Sequence, residues 1–446
     1  MTGDRIVVVG AGVAGLRAAE RLRELGFGGD LVMVNEERHR PYHRPALSKQ
    51  LLTGDLAPAD LALRGYLPLG LSWRDCVPGM RLNTRSHVLE LPGNEALRYD
   101  GLVIATGVRA RQLPGMPVHN PRVHVLRTLD DAMALHGTLT ADSGPITVIG
   151  SGFTACEIAA TARELGREVT VVARSATLLG RAVGPVIGER VTRLHRENGV
   201  TLALGAEVVQ WLPQPFGVTM LLSNGKSLTA SCVVIAVGGV PAVDWLQGSG
   251  LHCGDGVLCT PTCHVVGAND IVAAGDVAAW PNHRFDPTPR RIEHWLNAVE
   301  MGRAAAESLL AGPARAGRFE PLPQFWSEQF GVRIQAAGIP SLGQYTTTLQ
   351  YDGVPSVTGY LSGHRLVGVL GWDHPQAVLS WAAELDRQLT SQPPVCPPAP
   401  RTSRYQNNIV TADPNIPLAR PPATVAGLPE ITPTVQAAVR REMSQN

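Results

Sequence analysis

Lysine is scarce in this sequence of 446 residues. Of its 39 basic residues, only Lys49 and Lys226 are lysine, and all the others are arginine. Codon preference in a GC-rich genome accounts for the bias in general, so any lysine that is present stands out. The 38 acidic residues leave a net charge of +1. This balance excludes a nucleic-acid or membrane-surface role that depends on bulk charge.

Paired cysteine motifs are also missing. The cysteines are odd in number and include no Cys-x-x-Cys pair, which is typical of a reduced intracellular protein and not of a disulfide framework. They are Cys76, Cys156, Cys232, Cys253, Cys259, Cys263 and Cys396. Cys253, Cys259 and Cys263 lie close together in the sequence, with His252 and His264 beside them. Their spacing fits no common zinc site, and the sequence 254–256 predicts a hairpin turn among them. We therefore expect no metal site.

Long apolar runs are absent as well. No stretch approaches the roughly 18 consecutive apolar residues of a membrane-spanning helix. Arg5 leads directly into the short run 6–9, which is followed by glycines and does not have the form of a signal peptide. We expect a cytoplasmic protein with no membrane segment.

Glycines follow this first apolar run at the spacing of a dinucleotide-binding turn. The run predicts a buried parallel strand, and a helical pattern follows it up to Gly26. Gly10 permits the tight turn, Gly12 lets a diphosphate approach the backbone, and Gly15 lets helix and strand pack closely. The free N–H groups at the start of the helix favour phosphate binding. A second strand, 31–34, ends at acidic residues, of which we choose Glu36 as the ligand of ribose hydroxyls.

The same unit recurs about 140 residues later in the chain. The run 146–149 leads to Gly150 and Gly152, and a further strand, 169–172, follows the intervening helix. Here the second strand ends at Arg174 instead of an acid, and an arginine can pair with a 2′-phosphate. This residue favours NADPH over NADH. The other interpretation is a surface arginine at a site that accepts either cofactor.

Two dinucleotide sites in one chain imply that two dinucleotides meet. The natural pair is a flavin and a nicotinamide, with hydride passing from one to the other. Three more strand-to-glycine segments support this interpretation. They are 102–107, 233–239 and 271–276, and the last ends in an acid suited to a polyol hydroxyl.

Several segments resemble the FAD-dependent ferredoxin reductases of oxygenase systems, namely putidaredoxin reductase-type enzymes and the reductases of aromatic-ring dioxygenases. The resemblance extends over roughly residues 4–390 in the family's order, and its most specific segments are PYHRPALSK, EHWLNA and FWSEQ. It implies an α/β protein of glutathione-reductase-like fold. Two Rossmann-like dinucleotide-binding domains would be joined to a small C-terminal α/β domain.

The resemblance also implies domain limits. Residues 1–113 and 243–320 would form a discontinuous FAD-binding domain, 114–242 the NAD(P)H-binding domain and 321–390 the C-terminal domain. The remaining segment, 391–446, is a Pro-rich extension with eleven of the 35 prolines, a composition that favours extended or disordered chain. A tail packed over the body or a neighbouring subunit, and a partner-docking arm, are the alternatives.

Individual residues acquire roles from the same resemblance. Lys49 would lie near the reactive edge of the flavin, with Glu157 paired to it beside the nicotinamide. Trp326 would cover the flavin ring, and these three residues are the candidate catalytic residues. Trp295 would lie beside the pyrimidine end of the ring. Further cofactor contacts are expected from Arg44, Ala105, Thr106, Gly107, Arg109, Phe153, Thr154, Gly238, Gly275, Asp276, Glu293 and His294.

Three functions are compatible with these features. The leading one is an FAD-dependent oxidoreductase that takes hydride from NADPH or NADH and passes electrons to a [2Fe–2S] ferredoxin serving an oxygenase or cytochrome P450. The lack of a cysteine pair beside the first glycine turn disfavours a disulfide reductase. The second is an oxidoreductase acting directly on a small molecule, and the third a flavin-binding, redox-responsive interaction protein. The pattern fixes no oligomeric state, and monomer and homodimer both stay open.

Overall fold

The computed structural model describes residues 4–63, 69–77 and 80–391. Apart from Ser391, the predicted Pro-rich extension lies outside the described residues. The chain begins with alternating strands and helices, as the apolar runs predict. Its first elements are β1 (Arg5–Val9), α1 (Val13–Glu24), β2 (Asp30–Val34), α2 (Gln50–Thr53), β3 (Leu71–Arg74), β4 (Arg81–Asn83), β5 (Val88–Leu91), β6 (Glu95–Arg98), β7 (Gly101–Ile104) and β8 (Val108–Ala110).

The middle of the chain repeats the alternation. Its elements are β9 (Val123–Val125), α3 (Leu129–Ala141), β10 (Ile146–Ile149), α4 (Phe153–Glu164), β11 (Val169–Ala173), α5 (Gly180–Glu197), β12 (Thr201–Leu204), β13 (Val208–Gln214), β14 (Gly217–Leu222), β15 (Ser227–Ala230), β16 (Cys232–Ile235) and β17 (Gly239–Pro241).

The last part is richer in antiparallel strands. It comprises β18 (Cys253–Gly254), β19 (Gly256–Leu258), β20 (Ile271–Ala273), β21 (Ala278–Pro281), β22 (Pro289–Arg290), α6 (Trp295–Ala311), β23 (Gln324–Gln329), β24 (Val332–Gly338), β25 (Tyr345–Tyr351), β26 (Val354–Ser362), β27 (Arg365–Trp372) and α7 (Pro375–Ser391). Strands β18 and β19 pair antiparallel, which confirms the hairpin predicted among the cysteines.

Two five-stranded parallel sheets carry the nucleotide turns. The first has the strand order β20-β7-β1-β2-β3, and the second has the order β12-β11-β10-β16-β9. Their inner strands β7, β1, β10 and β16 are buried on both faces, which is why these strands read as continuous apolar runs. In each sheet the register aligns the carboxyl ends of the glycine-turn strand and its two neighbours. The loops that leave these ends therefore form one edge, the usual ligand-binding edge of such sheets.

An antiparallel sheet completes the fold. Its strand order is β23-β24-β27-β26-β25, and α7 packs against it. Along β23 the side chains alternate, so that Phe325, Ser327 and Gln329 are buried while Trp326 and Glu328 are only partly so. Two parallel sheets and this small domain confirm the predicted α/β class. Among the described residues, no helix is both long and apolar enough to cross a membrane.

Candidate functional site

The first glycine turn forms an open cradle at the start of α1. Gly10 has φ +106°, and a Cβ there would lie 2.3 Å from the carbonyl oxygen of Ala105, which follows β7. A Cβ on Gly12 would instead meet no atom within 4 Å. No side chain caps the N-terminus of α1, so its N–H groups are free for an anion. This geometry fits the diphosphate of a dinucleotide.

The second glycine turn has the same geometry at the start of α4. Gly150 has φ +135°, and a Cβ there would lie 2.1 Å from the oxygen of Ala236, which follows β16. The space in front of Gly152 is empty to 4 Å, and again no side chain caps the helix. Phe153 and Thr154 begin that helix, with Thr154 exposed. The chain therefore carries two equivalent cradles.

Two adjacent acids follow β2 and lie in different surroundings. The exposed Glu36 carboxylate is 3.3 Å from the guanidinium of Arg109, which also pairs with Asp244 at 2.8 Å. Glu37 turns away from it and pairs with Arg44. The buried amide of Asn35 donates to two backbone oxygens of this loop and so fixes the direction in which each acid leaves it.

Arg44 lies in a polar cluster beneath this loop. Besides the Glu37 carboxylate, it contacts the hydroxyl of Tyr42 at 2.7 Å and the carbonyl oxygen of Arg127 at 2.9 Å. The Tyr42 hydroxyl in turn donates to Glu37 at 2.6 Å. The cluster uses most of the donors of the Arg44 guanidinium within the protein.

Two of the candidate catalytic residues, Lys49 and Glu157, form an ion pair. Lys49 Nζ lies 2.8 Å from Glu157 Oε2, and both side chains are largely buried. The same carboxylate accepts hydrogen bonds from Ser48 at 2.5 Å and from Ser327 at 2.6 Å. Glu157 lies on α4, just inside the second cradle, while Lys49 and Ser48 belong to the segment before α2. The pair therefore joins the part of the chain that carries the first cradle to the second cradle.

Imidazole and aromatic rings line the same region. The rings of His43 and Trp295 lie 4.9 Å apart, and those of His294 and Phe325 lie 5.0 Å apart. Burial lowers the pKa of His43 to about 4, with help from the charge of Lys49. Burial also lowers the pKa of His294 to about 4, against the attraction of Asp276. Both rings are therefore neutral near pH 7.

One atom of this region lacks a partner. Nδ1 of His294 is buried and has no hydrogen-bond partner among the described residues. A buried polar atom is costly when it is left unpaired. Together with the open first cradle, it fits a region in which a flavin dinucleotide would complete the packing and hydrogen bonding.

Asp276 follows β20 and is paired within the protein. Its carboxylate lies 2.9 Å from Arg127, and Gly275 before it has φ +76°. Thr106 donates its hydroxyl hydrogen bond to the oxygen of Ala242 at 2.8 Å, so that it ties the end of β7 to the segment after β17. The exposed Glu293 pairs with Arg291 at 2.6 Å.

The remaining predicted residues lie around these groups. Trp326 is partly buried on β23, and strand alternation places its side chain on the face opposite Ser327. Gly107 and Gly238 both have positive φ, at the ends of β7 and β16. Gly15 packs against the first turn, where a Cβ would lie 2.0 Å from the oxygen of Gly10. Several of the predicted residues thus lie at the first turn or directly after the strands of the two parallel sheets.

Arg174 occupies the position in the second unit that an acid occupies in the first. It follows β11 directly and is exposed. Among the described residues it makes no ion pair or hydrogen bond, unlike Arg109 near the first cradle. Its neighbour Ser175 bonds to the hydroxyl of Ser151 at 2.8 Å, which anchors this loop to the second cradle.

Sequence reasoning missed several residues of the site. Ser48, Ser327, His43 and Arg127 all contact predicted residues, yet none was singled out. Ser48 and His43 lie in the same short segment as Lys49, and Ser327 adjoins Trp326, so the specific segments contained the signal. Arg127 had no sequence signal, because its partner Asp276 is 149 residues away.

The fold and the two cradles define a protein built to hold two dinucleotides next to each other. The chain belongs to the pyridine nucleotide-disulphide oxidoreductase family, whose sequence model matches residues 4–302. Its relatives include the ferredoxin–NAD(+) reductase subunit of the benzene 1,2-dioxygenase system of Pseudomonas putida. The two are 33% identical, over 77% of this chain and 82% of the relative. Rhodocoxin reductase of Rhodococcus erythropolis is 34% identical, over 83% of this chain and 87% of the relative.

A solved structure is similar over most of the chain. Putidaredoxin reductase, in its covalent complex with putidaredoxin, superposes with a TM-score of 0.81 at 28% identity. The match covers 87% of this chain and 94% of the reductase. The predicted family resemblance is confirmed.

Proposed function

We propose that this protein takes hydride from a reduced nicotinamide dinucleotide at the second cradle and passes electrons to a [2Fe–2S] ferredoxin that serves an oxygenase or cytochrome P450. FAD would occupy the first cradle. The observation that carries the proposal is the buried Lys49–Glu157 pair, which spans the boundary between the two cradles. When bound, FAD supplies an acceptor that takes two electrons together and releases them one at a time.

The residues of the chain supply orientation and a dry site. Gly10 and Gly12 admit the diphosphate of FAD, and Gly150 and Gly152 admit that of the nicotinamide dinucleotide. The Lys49–Glu157 pair holds the geometry of the junction between them. The neutral, partly buried rings of His43 and His294 would line it without adding charge. Hydride transfer needs such alignment more than it needs a nucleophile.

Further contacts to FAD would come from the residues around the first cradle. Glu36 would accept from ribose hydroxyls, with Arg109 beside it, and Asp276 would contact the polyol chain. The backbone of 105–107 and the segment at Trp295 would line the ring. Trp326 would cover the ring from β23. We propose these roles because this chain resembles the ferredoxin reductases.

The acceptor is proposed from two observations. The relatives are named as ferredoxin reductases, and the matched solved structure is a complex of putidaredoxin reductase with putidaredoxin. All six cysteines within the described residues are free, and none forms a disulfide. Electrons leaving a flavin without a cysteine pair must go to another acceptor, and a one-electron iron–sulfur protein suits it.

The nicotinamide dinucleotide we propose is NADPH. The exposed Arg174, which makes no ion pair or hydrogen bond with the described residues, would lie at the ribose end of the second unit, where an acid would select NADH. A guanidinium can bind a 2′-phosphate through charge-assisted hydrogen bonds. The bond from Ser175 to Ser151 holds this loop against the second cradle.

Domain limits and location complete the proposal. We propose an FAD-binding domain of 1–113 and 243–320, a nicotinamide-binding domain of 114–242 and a C-terminal domain of 321–390. Sheet membership supports these limits, because β20 returns to the first sheet after the second sheet is complete. The free cysteines support a reducing compartment, for which we propose the cytoplasm.

Rapid-mixing spectroscopy tests the proposal. The FAD-loaded protein is mixed with NADPH or NADH, and flavin bleaching is followed. Cytochrome c reduction is then measured with and without a panel of [2Fe–2S] ferredoxins that includes putidaredoxin. We expect fast bleaching and cytochrome c reduction that needs a ferredoxin. If the flavin bleaches fast but no ferredoxin supports cytochrome c reduction, direct action on a small molecule is favoured. Slow bleaching with a long-lived charge-transfer band would favour a redox-responsive interaction protein.

A further inference from the structure

A buried chain of hydrogen bonds ends on the Glu157 carboxylate. Ser327 donates to Glu157 Oε1 at 2.6 Å, and Gln329 Nε2 donates to the Ser327 hydroxyl at 3.0 Å. The amide oxygen of Gln329 lies 2.9 Å from Nε2 of His195. All four side chains are buried, and His195 and Ser327 are fully so. We call His195, Gln329 and Ser327 the carboxylate chain.

The direction of each hydrogen bond in the carboxylate chain follows from the group at its end, the Glu157 carboxylate. An ionised Glu157 only accepts, so the Ser327 hydroxyl must donate to it and accept from Gln329. The Gln329 amide then presents its oxygen to His195, whose Nε2 must carry the proton. Nδ1 of His195 has no partner among the described residues, and burial lowers the pKa of the ring. His195 is therefore neutral and of the Nε2–H tautomer, and every donor points toward Glu157.

Three parts of the molecule supply the groups that hold this carboxylate. His195 lies on α5, Gln329 and Ser327 lie on β23, and Ser48 and Lys49 reach it from the segment before α2. We propose that Ser327, Gln329 and His195 are positioning residues, which fix the Glu157 carboxylate against Lys49, and that the charge at residue 157 sets the tautomer of His195. Hydrogen bonds aligned in one direction strengthen each other in a low-dielectric interior. The orientation of the Lys49–Glu157 pair therefore depends on the C-terminal sheet.

Nitrogen NMR of the loaded protein, labelled with 15N at histidine, tests the chain without any activity measurement. His195 is assigned by comparison with His195→Gln. In the native protein at neutral pH we expect the Nε2–H tautomer, and an Nδ1–H tautomer would overturn the proposal without need of a variant at Glu157.

Substitution at residue 157 provides the second readout. In Glu157→Gln the amide oxygen faces Lys49, so its NH2 faces Ser327. The Ser327 hydroxyl then donates to the Gln329 amide oxygen, and the Gln329 NH2 donates to Nε2 of His195. The proton of the His195 ring therefore lies on Nδ1. Glu157→Asp keeps the charge and is expected to keep Nε2–H. The double variant Glu157→Gln with Ser327→Ala breaks the chain and should remove the effect. An unchanged tautomer in folded Glu157→Gln would contradict the coupling.

Kinetics test the positioning role and rest on the proposed function. Ser327→Ala should slow flavin bleaching at saturating nicotinamide by about tenfold, while the nicotinamide concentration for half-saturation changes little. Glu328→Gln, the next residue on the same strand, is a matched control, because Glu328 pairs with Arg333 at 3.0 Å on the other face. Equal rates in the two variants would refute positioning by Ser327. If no variant, nor the native protein, bleaches with nicotinamide, the proposed function fails while the tautomer result still stands.

Discussion

Arg127 donates to the Asp276 carboxylate at 2.9 Å and thereby ties the two parallel sheets together. Arg127 follows β9 of the second sheet, and Asp276 follows β20 of the first. The same guanidinium donates to the oxygen of Val108 at 3.0 Å, between the two sheets. The acid proposed for the polyol chain of FAD is therefore held in place from the other dinucleotide unit.

Loss of Lys49 should affect both stability and electron transfer. Lys49→Gln leaves the Glu157 carboxylate buried without its cation, so the free energy of unfolding should fall by about 3–5 kcal/mol. Flavin bleaching by NADPH should slow by at least about tenfold, because the junction between the cradles loses its orientation. Denaturant unfolding and rapid mixing measure the two effects.

The other lysine gives a matched control. Lys226 is exposed at the turn between β14 and β15, so Lys226→Gln should change neither quantity. The double variant Lys49→Gln with Glu157→Gln should regain part of the lost stability, because no unpaired charge is left. A Lys49→Gln protein as stable and as fast as Lys226→Gln would contradict the assigned role.

Arg174→Glu should reverse the nicotinamide preference. The guanidinium is expected to contribute about 1.5–3 kcal/mol to binding of the 2′-phosphate, which is about tenfold to a hundredfold in affinity. NADPH should bind more weakly by that factor, and NADH should gain from a carboxylate that accepts from its ribose. Dissociation constants from flavin bleaching at several salt concentrations measure this.

Arg85→Glu makes the same charge change on an exposed arginine between β4 and β5. It should leave the ratio of NADPH to NADH affinity as in the native protein. An unchanged ratio in Arg174→Glu would rule out the 2′-phosphate contact.

Substitutions at three of the turn glycines should separate folding from cofactor binding. Gly12 and Gly152 have φ near −70° and −82°, which any residue adopts, and open space in front of them. Gly12→Val should therefore fold but lose the flavin absorbance, and Gly152→Val should keep the flavin and lose nicotinamide binding. Gly10→Val should instead unfold the chain or lower its melting temperature strongly, since its Cβ would overlap the backbone at Ala105.

Circular dichroism melts and the flavin absorbance of the purified variants distinguish these outcomes. A Gly12→Val protein that retains FAD would show that the diphosphate does not lie in the first cradle. Loss of flavin from Gly152→Val would show that the two cradles have been assigned the wrong way round.

Stability should fall as the pH drops from about 6.5 toward about 4. His43 and His294 have pKa values lowered to about 4, so the folded protein keeps them neutral where the unfolded chain binds protons. Above about pH 6.5 both states are neutral and this contribution is complete, and it is lost as the pH approaches the folded pKa values. Each group adds a slope of at most about 1.4 kcal/mol per pH unit in this window.

The free energy of unfolding of the apoprotein, measured from pH 7 to pH 4, checks this dependence. His43→Gln and His294→Gln should each flatten the curve, while His119→Gln should not, because His119 lies in the exposed turn before β9. Identical slopes in all three variants would mean that the two rings titrate normally in the folded state.

Much of the fold was predictable because its signals are local. The strands that lead into the glycine turns are short β-branched runs, and each cradle is a strand, a glycine turn and a helix in direct succession. The hairpin at 254–256 was predictable for the same reason. The confirmed α/β class follows from these units, since the βαβ alternation dictates parallel sheets.

The site was less predictable where it depends on packing between distant segments. The choice between Glu36 and Glu37 is made by the buried amide of Asn35, which the sequence pattern does not weigh. Ser327 reaches Glu157 only because β23 turns its alternate residues inward against α4. Nothing in the sequence links Glu157 to Ser327, which are 170 residues apart. The Lys49–Glu157 pair, in contrast, is predicted by the family resemblance.

Strand β20 also has a consequence for synthesis of the chain. It pairs with β7 at the edge of the first sheet, yet it leaves the ribosome about 170 residues later. The second sheet is composed wholly of strands between 123 and 235, so it can close while the first still lacks its edge. Domains generally fold as units during synthesis, and late pairings between distant residues are slow. We therefore expect the nascent chain to acquire its nicotinamide-binding half first, and to become able to retain a flavin only after residue 276 has emerged.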